Sequence, residues 1–261
     1  MKNSFNFNER DSLISRLNGA VKRYRATGVS TTIGFVDEIL QEYAKTFFRE
    51  NVFEDYNFFC PRIESKRAFL TVGDYVLFEE EITYIRAIPD KFHLPSHRDY
   101  MGALMSLGID RKYFGDLLVT DRSNAYFPLW NKTDISIHLF DSFLSCGSAK
   151  ISLETVDKEE YVDLELNYEE KIIIVSSFRA DCFVASITGF SRTQAKRLIE
   201  NGDFKVSSHS VFLPDALLKQ GCDFSIKGFG KYKFDNIIGE TRKERIRIKL
   251  LKYGNYTERI Y

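Results

Sequence analysis

The chain has 261 residues, with 37 Lys+Arg against 37 Asp+Glu, so its formal net charge is zero. With 44% hydrophobic and 28% charged residues, 15 Gly and 5 Pro, the composition is that of a folded globular protein. It excludes a disordered chain, a uniformly basic nucleic-acid coat and a long acidic tail.

In chain order, the first segment is mainly helical. Leu13, Leu17, Val21 and Tyr24 mark one face of a helix that ends near Thr27-Gly28. Two adjacent rows, Phe35/Ile39/Tyr43/Phe47 and Val36/Leu40/Ala44/Phe48, predict a second helix with a wide apolar stripe for core packing. Asn57–Cys60 and Arg67–Val72 read as short strands, so this unit, residues 1–76, closes with a small sheet.

Residues 77–156 alternate between patterns. Ile82–Ile88 is strand-like, and Ser96-x-x-Asp99 has the form of a capping box with Asp in place of Glu or Gln. The helix it opens turns Tyr100, Ala103, Leu104 and Leu107 inward and stops at Gly108. Strand-like Asp116–Thr120, the turn Asp121–Asn124, strand-like Ala125–Trp130, a helix over Thr133–Leu144 and a strand over Lys150–Thr155 follow. The order β-α-β-β-α-β is the ferredoxin-like, RRM-like arrangement. An acidic stretch beginning at Asp157 reads as a solvated linker or hairpin, residues 157–175, to which no chemistry is assigned.

Charge then changes sign. Residues 176–261 carry 16 Lys+Arg and 9 Asp+Glu, a net of +7, whereas residues 1–175 carry 21 and 28, a net of −7. Such asymmetry fits a polyanion-binding module joined to another body, and equally a chance clustering of solvated charge. A short helix over Arg179–Ile187 ends at Gly189, and Ser191-x-x-Gln194 is a capping box for a second helix that ends at Gly202. Ala195, Leu198 and Ile199 face inward, leaving Arg192, Lys196 and Arg197 as a basic ridge on a rigid support. Short strands Phe204–Val206, Ser210–Leu213 and Asp223–Lys227 follow. In Lys227-Gly228-Phe229-Gly230-Lys231-Tyr232-Lys233-Phe234, Lys231 and Lys233 share one side of a strand and the two aromatics the other.

Ser177-Phe178-Arg179-x-Asp181, Ser191-Arg192-x-x-Ala195-x-x-x-Ile199-x-x-Gly202-x-x-x-Val206, Pro214 and Gly221 resemble an S4 RNA-binding domain. Ala180, Ser207-Ser208 and Cys222 depart from that pattern, where Leu, an Asn-Gly turn and an acidic residue are usual. His97-Arg98-Asp99-Tyr100-Met101-Gly102-Ala103-Leu104-Met105-Ser106-Leu107-Gly108-Ile109, Gly115–Val119 and Gly228–Lys233 extend the resemblance to the YlmH-type S4 proteins, over roughly Ile82–Leu251. The resemblance implies an α+β protein: a helical N-terminal unit, a ferredoxin-like middle domain and a C-terminal S4 domain with following strands over residues 176–261. It further implies a non-enzymatic protein that binds rRNA, with tRNA as a further candidate, on ribosomal particles. The large subunit and stalled-translation quality control are its expected setting. The expected RNA-binding residues are Arg179, Arg192, Gln194, Lys196, Arg197, Lys205, Lys227, Lys231 and Lys233, with Arg98 at the start of the middle helix.

Two readings compete with this one. His97-Arg98-Asp99 is reminiscent of a kinase catalytic loop, but Leu104 stands where Asn is needed. A pseudouridine-synthase-like enzyme remains the alternative, with the S4 domain used for docking; a cell-division interaction factor is another. Asp99 is expected to cap its helix, and the role of His97 stays open. No Gly-rich nucleotide loop or paired-His motif is present, the four His are scattered, and neither a metal nor a cofactor is expected. Cys60, Cys146, Cys182 and Cys222 lack paired spacing and read as reduced, buried side chains. With no signal-peptide pattern and no aliphatic run longer than Ile172–Val175, a cytoplasmic protein without a membrane partner is expected.

Overall fold

Helix α1 (Ser4–Thr27) buries Leu13, Leu17, Ala20 and Val21 at the expected spacing, and the Gly28 N–H closes it on the Tyr24 carbonyl. The computed structural model to which it belongs describes residues 4–74, 78–90, 92–207 and 209–257. Strand β1 (Thr31–Val36) comes next, and it takes Phe35 and Val36 out of the expected second helix. That helix, α2 (Glu38–Glu50), starts later because Asp37 caps it, accepting from the Leu40 N–H at 2.9 Å. The β-branched run Thr31-Thr32-Ile33 ahead of the cap favours a strand. Strands β2 (Tyr56–Phe59) and β3 (Ala68–Val72) complete an antiparallel sheet of order β1-β3-β2. Ala44, Phe47 and Phe48 of α2 pack with the α1 stripe, Ile33, Leu70 and Val72.

The short helix α3 (Phe78–Glu81) leads into β4 (Ile82–Pro89), α4 (His97–Ser106), a 3-10 turn at Arg111–Tyr113, β5 (Leu118–Val119) and β6 (Ala125–Trp130). Helix α5 (Thr133–Ser142), β7 (Ser145–Cys146), β8 (Ala149–Val156) and α6 (Lys158–Val162) follow. The sheet is antiparallel with order β5-β6-β4-β8-β7. Every residue of β6 is buried, because the sheet is covered on both sides. Ala125, Phe127 and Leu129 face Tyr100 and Leu104 of α4 and Leu139 of α5. Tyr126 and Trp130 face the other way, with Tyr84, into a cluster that includes Phe35, Phe69, Tyr161 and Leu164.

That second cluster joins the three-stranded sheet to the five-stranded one. Gly34, at φ +96°, lies so close to the 3-10 turn that a Cβ there would stand 2.5 Å from the Lys112 carbonyl oxygen and 3.0 Å from the Trp130 ring. The buried Arg67 donates to the carbonyls of Phe35 (3.0 Å), Arg111 (2.9 Å) and Phe114 (3.3 Å). Arg62 donates to the carbonyls of Tyr161, Val162 and Leu164, each at 2.7 Å, satisfying the C-terminal end of α6. Residues expected as two domains thus share a core, and the expected boundary at 76/77 lies outside the described residues. One compact unit holds the described residues up to Glu165 with Tyr256 and Thr257; the other is Leu166–Asn255.

Residues 157–175 do not form a linker. Tyr161 is wholly buried, and α6 is followed by strand β9 (Glu165–Val175), whose Ile173 and Val175 enter the core of the second unit. The acidic residues hid the Tyr161, Leu164, Ile173 and Val175 anchors in the sequence. Helices α7 (Ala180–Thr188) and α8 (Arg192–Glu200), then β10 (Phe204–Val206), β11 (His209–Ser210), β12 (Asp223–Ile226), β13 (Gly230–Glu240) and β14 (Ile246–Thr257), complete this unit. Its sheet has the order β11-β10-β12-β13-β14-β9. Phe204, Phe224, Ile226, Tyr232, Phe234, Ile248 and Leu250 pack against Phe183, Val184, Ala195 and Ile199 of the two helices. The expected strand Ser210–Leu213 stops at Ser210, before Pro214.

The fold class is α+β with several antiparallel sheets. All four cysteines are free; Cys146 and Cys182 are buried and Cys222 half-buried, but Cys60, just past the end of β2, is exposed. No described helix is long and apolar enough to cross a membrane.

Candidate nucleic-acid interface

The turn between α7 and α8 is built by its ends. Gly189 closes α7 at φ +76°, in the left-handed region that costs glycine least. Two residues on, the Ser191 hydroxyl accepts from the Gln194 N–H, and the Gln194 side-chain oxygen Oε1 accepts from the Ser191 N–H at 2.9 Å. Gln194, expected to touch RNA, is therefore engaged in this reciprocal cap. In the middle unit Asp99 does the same for α4, accepting from the Ser96 N–H at 2.9 Å and from its hydroxyl at 2.7 Å. Arg98 beside it is exposed.

Where the two helices meet, the wholly buried carboxylate of Asp181 gathers two arginines. Arg179, the N-cap residue of α7, reaches it through Nε at 3.2 Å and Nη2 at 3.1 Å, and Arg192, the first residue of α8, through Nη2 at 2.8 Å. Burial alone would push the Asp181 carboxyl up; the hydrogen bonds from Arg179 and Arg192 outweigh it and hold it below the usual carboxylate range. Arg192 also donates to the Cys182 sulfur at 2.9 Å, which the hydroxyls of Ser177 (3.2 Å) and Ser176 (3.4 Å) approach. Burial would raise the Cys182 thiol, but the two hydroxyls and the Arg192 charge bring it below its ordinary value. Both arginine side chains stay part exposed, 37% for Arg179 and 47% for Arg192. The arrangement is two cations held in place by one buried anion.

Lys196 and Arg197 are exposed on α8 beside this pair. The remaining expected residues lie elsewhere. Phe204, Phe224, Ile226, Tyr232 and Phe234 point at the helices, so strand alternation sends Lys205, Lys231 and Lys233 off the opposite face of the sheet. There Lys231 is paired with Asp223 at 3.2 Å and lies 4.1 Å from the Tyr253 ring centre. Lys227 is paired with Asp203 at 2.8 Å. The expected set is thus divided, because alternation along the strands turns Lys205, Lys231 and Lys233 away from the helices that carry Arg192, Lys196 and Arg197. Asp181 appears in the S4-like pattern without a role of its own; an acid two residues past Arg179 at a helix start was the signal for the pairing. Ser207 takes φ +45°, a conformation that the usual Asn or Gly adopts at lower cost, and Ser208 lies outside the described residues.

Among the described residues the middle sheet offers no open aromatic platform. An RRM-type surface stacks bases on exposed sheet aromatics, whereas Tyr84, Tyr126 and Trp130 are covered. Arg86, on that same face, is held by Glu154 and by Glu160 at 3.0 Å. Among the described residues no group of three or more His, Cys, Asp or Glu is arranged to hold a metal ion.

Residues 73–160 match the family model described as "Putative RNA-binding domain in YlmH". Ribosome-associated protein quality control protein P2 of Bacillus subtilis (strain 168) is 31% identical over 191 residues, which are 72% of this chain and 73% of that protein. The chain is also similar to the solved structure of cell division protein ylmH from Streptococcus pneumoniae. That likeness has 19% identity and a TM-score of 0.47, covering 59% of this chain and 95% of the other.

Proposed function

The chain belongs to the YlmH family, and from that premise we propose that it is a non-enzymatic RNA-binding protein acting on ribosomal particles. Its RNA is rRNA, with tRNA as a second ligand, on the large subunit during quality control of stalled translation. Unit Leu166–Asn255 is read as the S4 domain, extended by β9. The five-stranded unit is read as ferredoxin-like, which its strand order supports. The observation that carries the reading is the α7–α8 surface: a guanidinium pair oriented by buried Asp181, flanked by exposed Lys196 and Arg197.

Structured RNA is read largely by shape and backbone, and oriented guanidinium edges suit phosphate oxygens. Arg179, Arg192, Lys196 and Arg197 form the primary contact. Lys205, Lys227, Lys231 and Lys233 act as a second, partly neutralised set, and Gln194 supports the ridge through its cap. Because the aromatic sheet face of the middle unit is covered, contact there runs through exposed Arg98 at the start of α4.

Co-sedimentation of the full chain with ribosomal particles over a salt series tests the proposal. If Lys196 and Arg197 each neutralise a phosphate, Lys196→Ala/Arg197→Ala lowers the log–log salt slope by about 1.4–1.8. An unchanged slope and affinity would remove the α8 ridge from the interface. Failure of the wild-type chain to bind at low salt would overturn the reading as a whole.

A further inference from the structure

Strands β13 and β14 run past the body of their own unit. Their last core residues are Phe234 and Ile248, with Ile246 partly packed; between these lie Asn236–Glu240, all exposed, and the connecting turn. The ladder continues through Gly239↔Arg247 to Glu240↔Ile246, so this part is an ordered two-stranded ribbon. At about 3.3 Å per residue it extends roughly 15 Å beyond Phe234. The tip is fixed by three hydrogen bonds: Thr241 N–H to the Arg245 carbonyl (2.8 Å), Glu244 N–H to the Thr241 carbonyl (2.9 Å) and Arg245 N–H to the Thr241 hydroxyl (3.1 Å). Glu244 occupies φ +57°, the left-handed position that closes a three-residue hairpin and ordinarily takes glycine.

Arg242, Lys243, Arg245 and Arg247 are all exposed on this ribbon. Lys227, Lys231 and Lys249 of the same unit are each paired with a carboxylate, but among the described residues no ion pair involves any of these four. The only carboxylates between Asn236 and Arg247 are Glu240 and Glu244, so the ribbon keeps a net positive charge. No aromatic residue stands at the tip, which disfavours insertion into lipid.

We propose that the tip of the β13–β14 ribbon is a second RNA-contact arm, gripping the phosphate backbone of a structured RNA through Arg242, Lys243, Arg245 and Arg247. It rests on the RNA-binding reading above and adds to it a surface separate from the α7–α8 ridge. A slender ribbon with cations at its end follows a groove edge, and charge complementarity selects a polyanion.

The test uses the full chain and a labelled RNA hairpin, titrated across a salt series. Arg242→Ala/Lys243→Ala lowers the salt slope by about 1.4–1.8, and its effect adds to that of Lys196→Ala/Arg197→Ala because the sites share no partner. Glu244→Gly removes a carboxylate and relieves the strained position, so it tightens binding without lowering the melting temperature. The arm alone is overturned if the ribbon double variant binds like wild type while the α8 double variant is weakened. If both variants bind like wild type, or the wild type binds no RNA, the arm and the parent reading fall together. Loss of binding to vesicles of phosphatidylcholine and phosphatidylserine with unchanged RNA binding also overturns it, in favour of a membrane contact.

Discussion

Replacing Gly34 by Ala tests whether the N-terminal sheet and the middle sheet are one cooperative body. Two costs are separable. At φ +96° an L side chain is strained, by about 1–2 kcal/mol for a left-handed backbone. The added methyl would also stand 2.5 Å from the Lys112 carbonyl oxygen and 3.0 Å from the Trp130 ring. The first is main chain and the second is packed, so neither can swing aside; overpacking of this kind costs about 1–3 kcal/mol. The total is about 2–5 kcal/mol, or a fall of roughly 4–20 °C in melting temperature at about 2–4 °C per kcal/mol for a unit of this size. Gly147→Ala is the control: its φ is +60° but a Cβ there meets nothing within 4 Å, so it carries the backbone cost alone, about 1–2 kcal/mol. Calorimetric melting of both variants decides the matter. If Gly34→Ala is no more destabilising than Gly147→Ala, the close approach of β1 to the 3-10 turn does not hold the two sheets together.

Asp181→Asn removes the charge that Arg179 and Arg192 share and turns one acceptor into a donor, which should cost about 2 kcal/mol at neutral pH by urea unfolding. Because the folded Asp181 carboxyl lies below its unfolded value, its contribution is complete above the unfolded pKa and is lost as pH falls through the folded one. The gap between variant and wild type should therefore close in acid, and a gap that widens there would refute the assignment. Ser191→Ala loses the reciprocal cap of α8 and should cost about 1 kcal/mol, read as weaker hydrogen-exchange protection across Arg192–Glu200; unaltered protection would count against it. Tyr161→Phe gives up a hydroxyl bonded to the Asp116 carbonyl at 3.1 Å and should lower stability by about 1 kcal/mol, whereas a solvent-facing tyrosine would show no change.

Local signals carried most of the individual elements. The capping boxes at Ser96 and Ser191 and the apolar spacing of α1 and α8 were readable because each rule acts within one or two turns. The failures share a different cause. Phe35 and Val36 fit a helical stripe, yet the cap at Asp37 and pairing with β3 decide their state. Tyr161 and Leu164 sit among acidic residues, and only the distant Arg62 and Phe69 reveal that they are anchors. At the candidate interface the cations were identifiable, but not their distribution. Asp181 collects Arg179 and Arg192, Asp223 collects Lys231, and the sheet separates Lys205 and Lys233 from the helices. Such pairings depend on tertiary proximity, which residue types alone do not encode.

The placement of Trp130 gives the protein a built-in optical divide. It is the single tryptophan, its indole N–H bonded to Glu81 at 2.8 Å and its ring against Phe69 and Tyr113. Indole emission therefore reports only on the unit that contains the middle sheet, while unit Leu166–Asn255, which holds no tryptophan, is dark at that wavelength. A blue-shifted emission band that moves to the red before or after the loss of helical ellipticity would resolve two unfolding events in an unlabelled chain. A ligand held by the α7–α8 face alone should delay the unfolding of unit Leu166–Asn255 and leave the indole band in place.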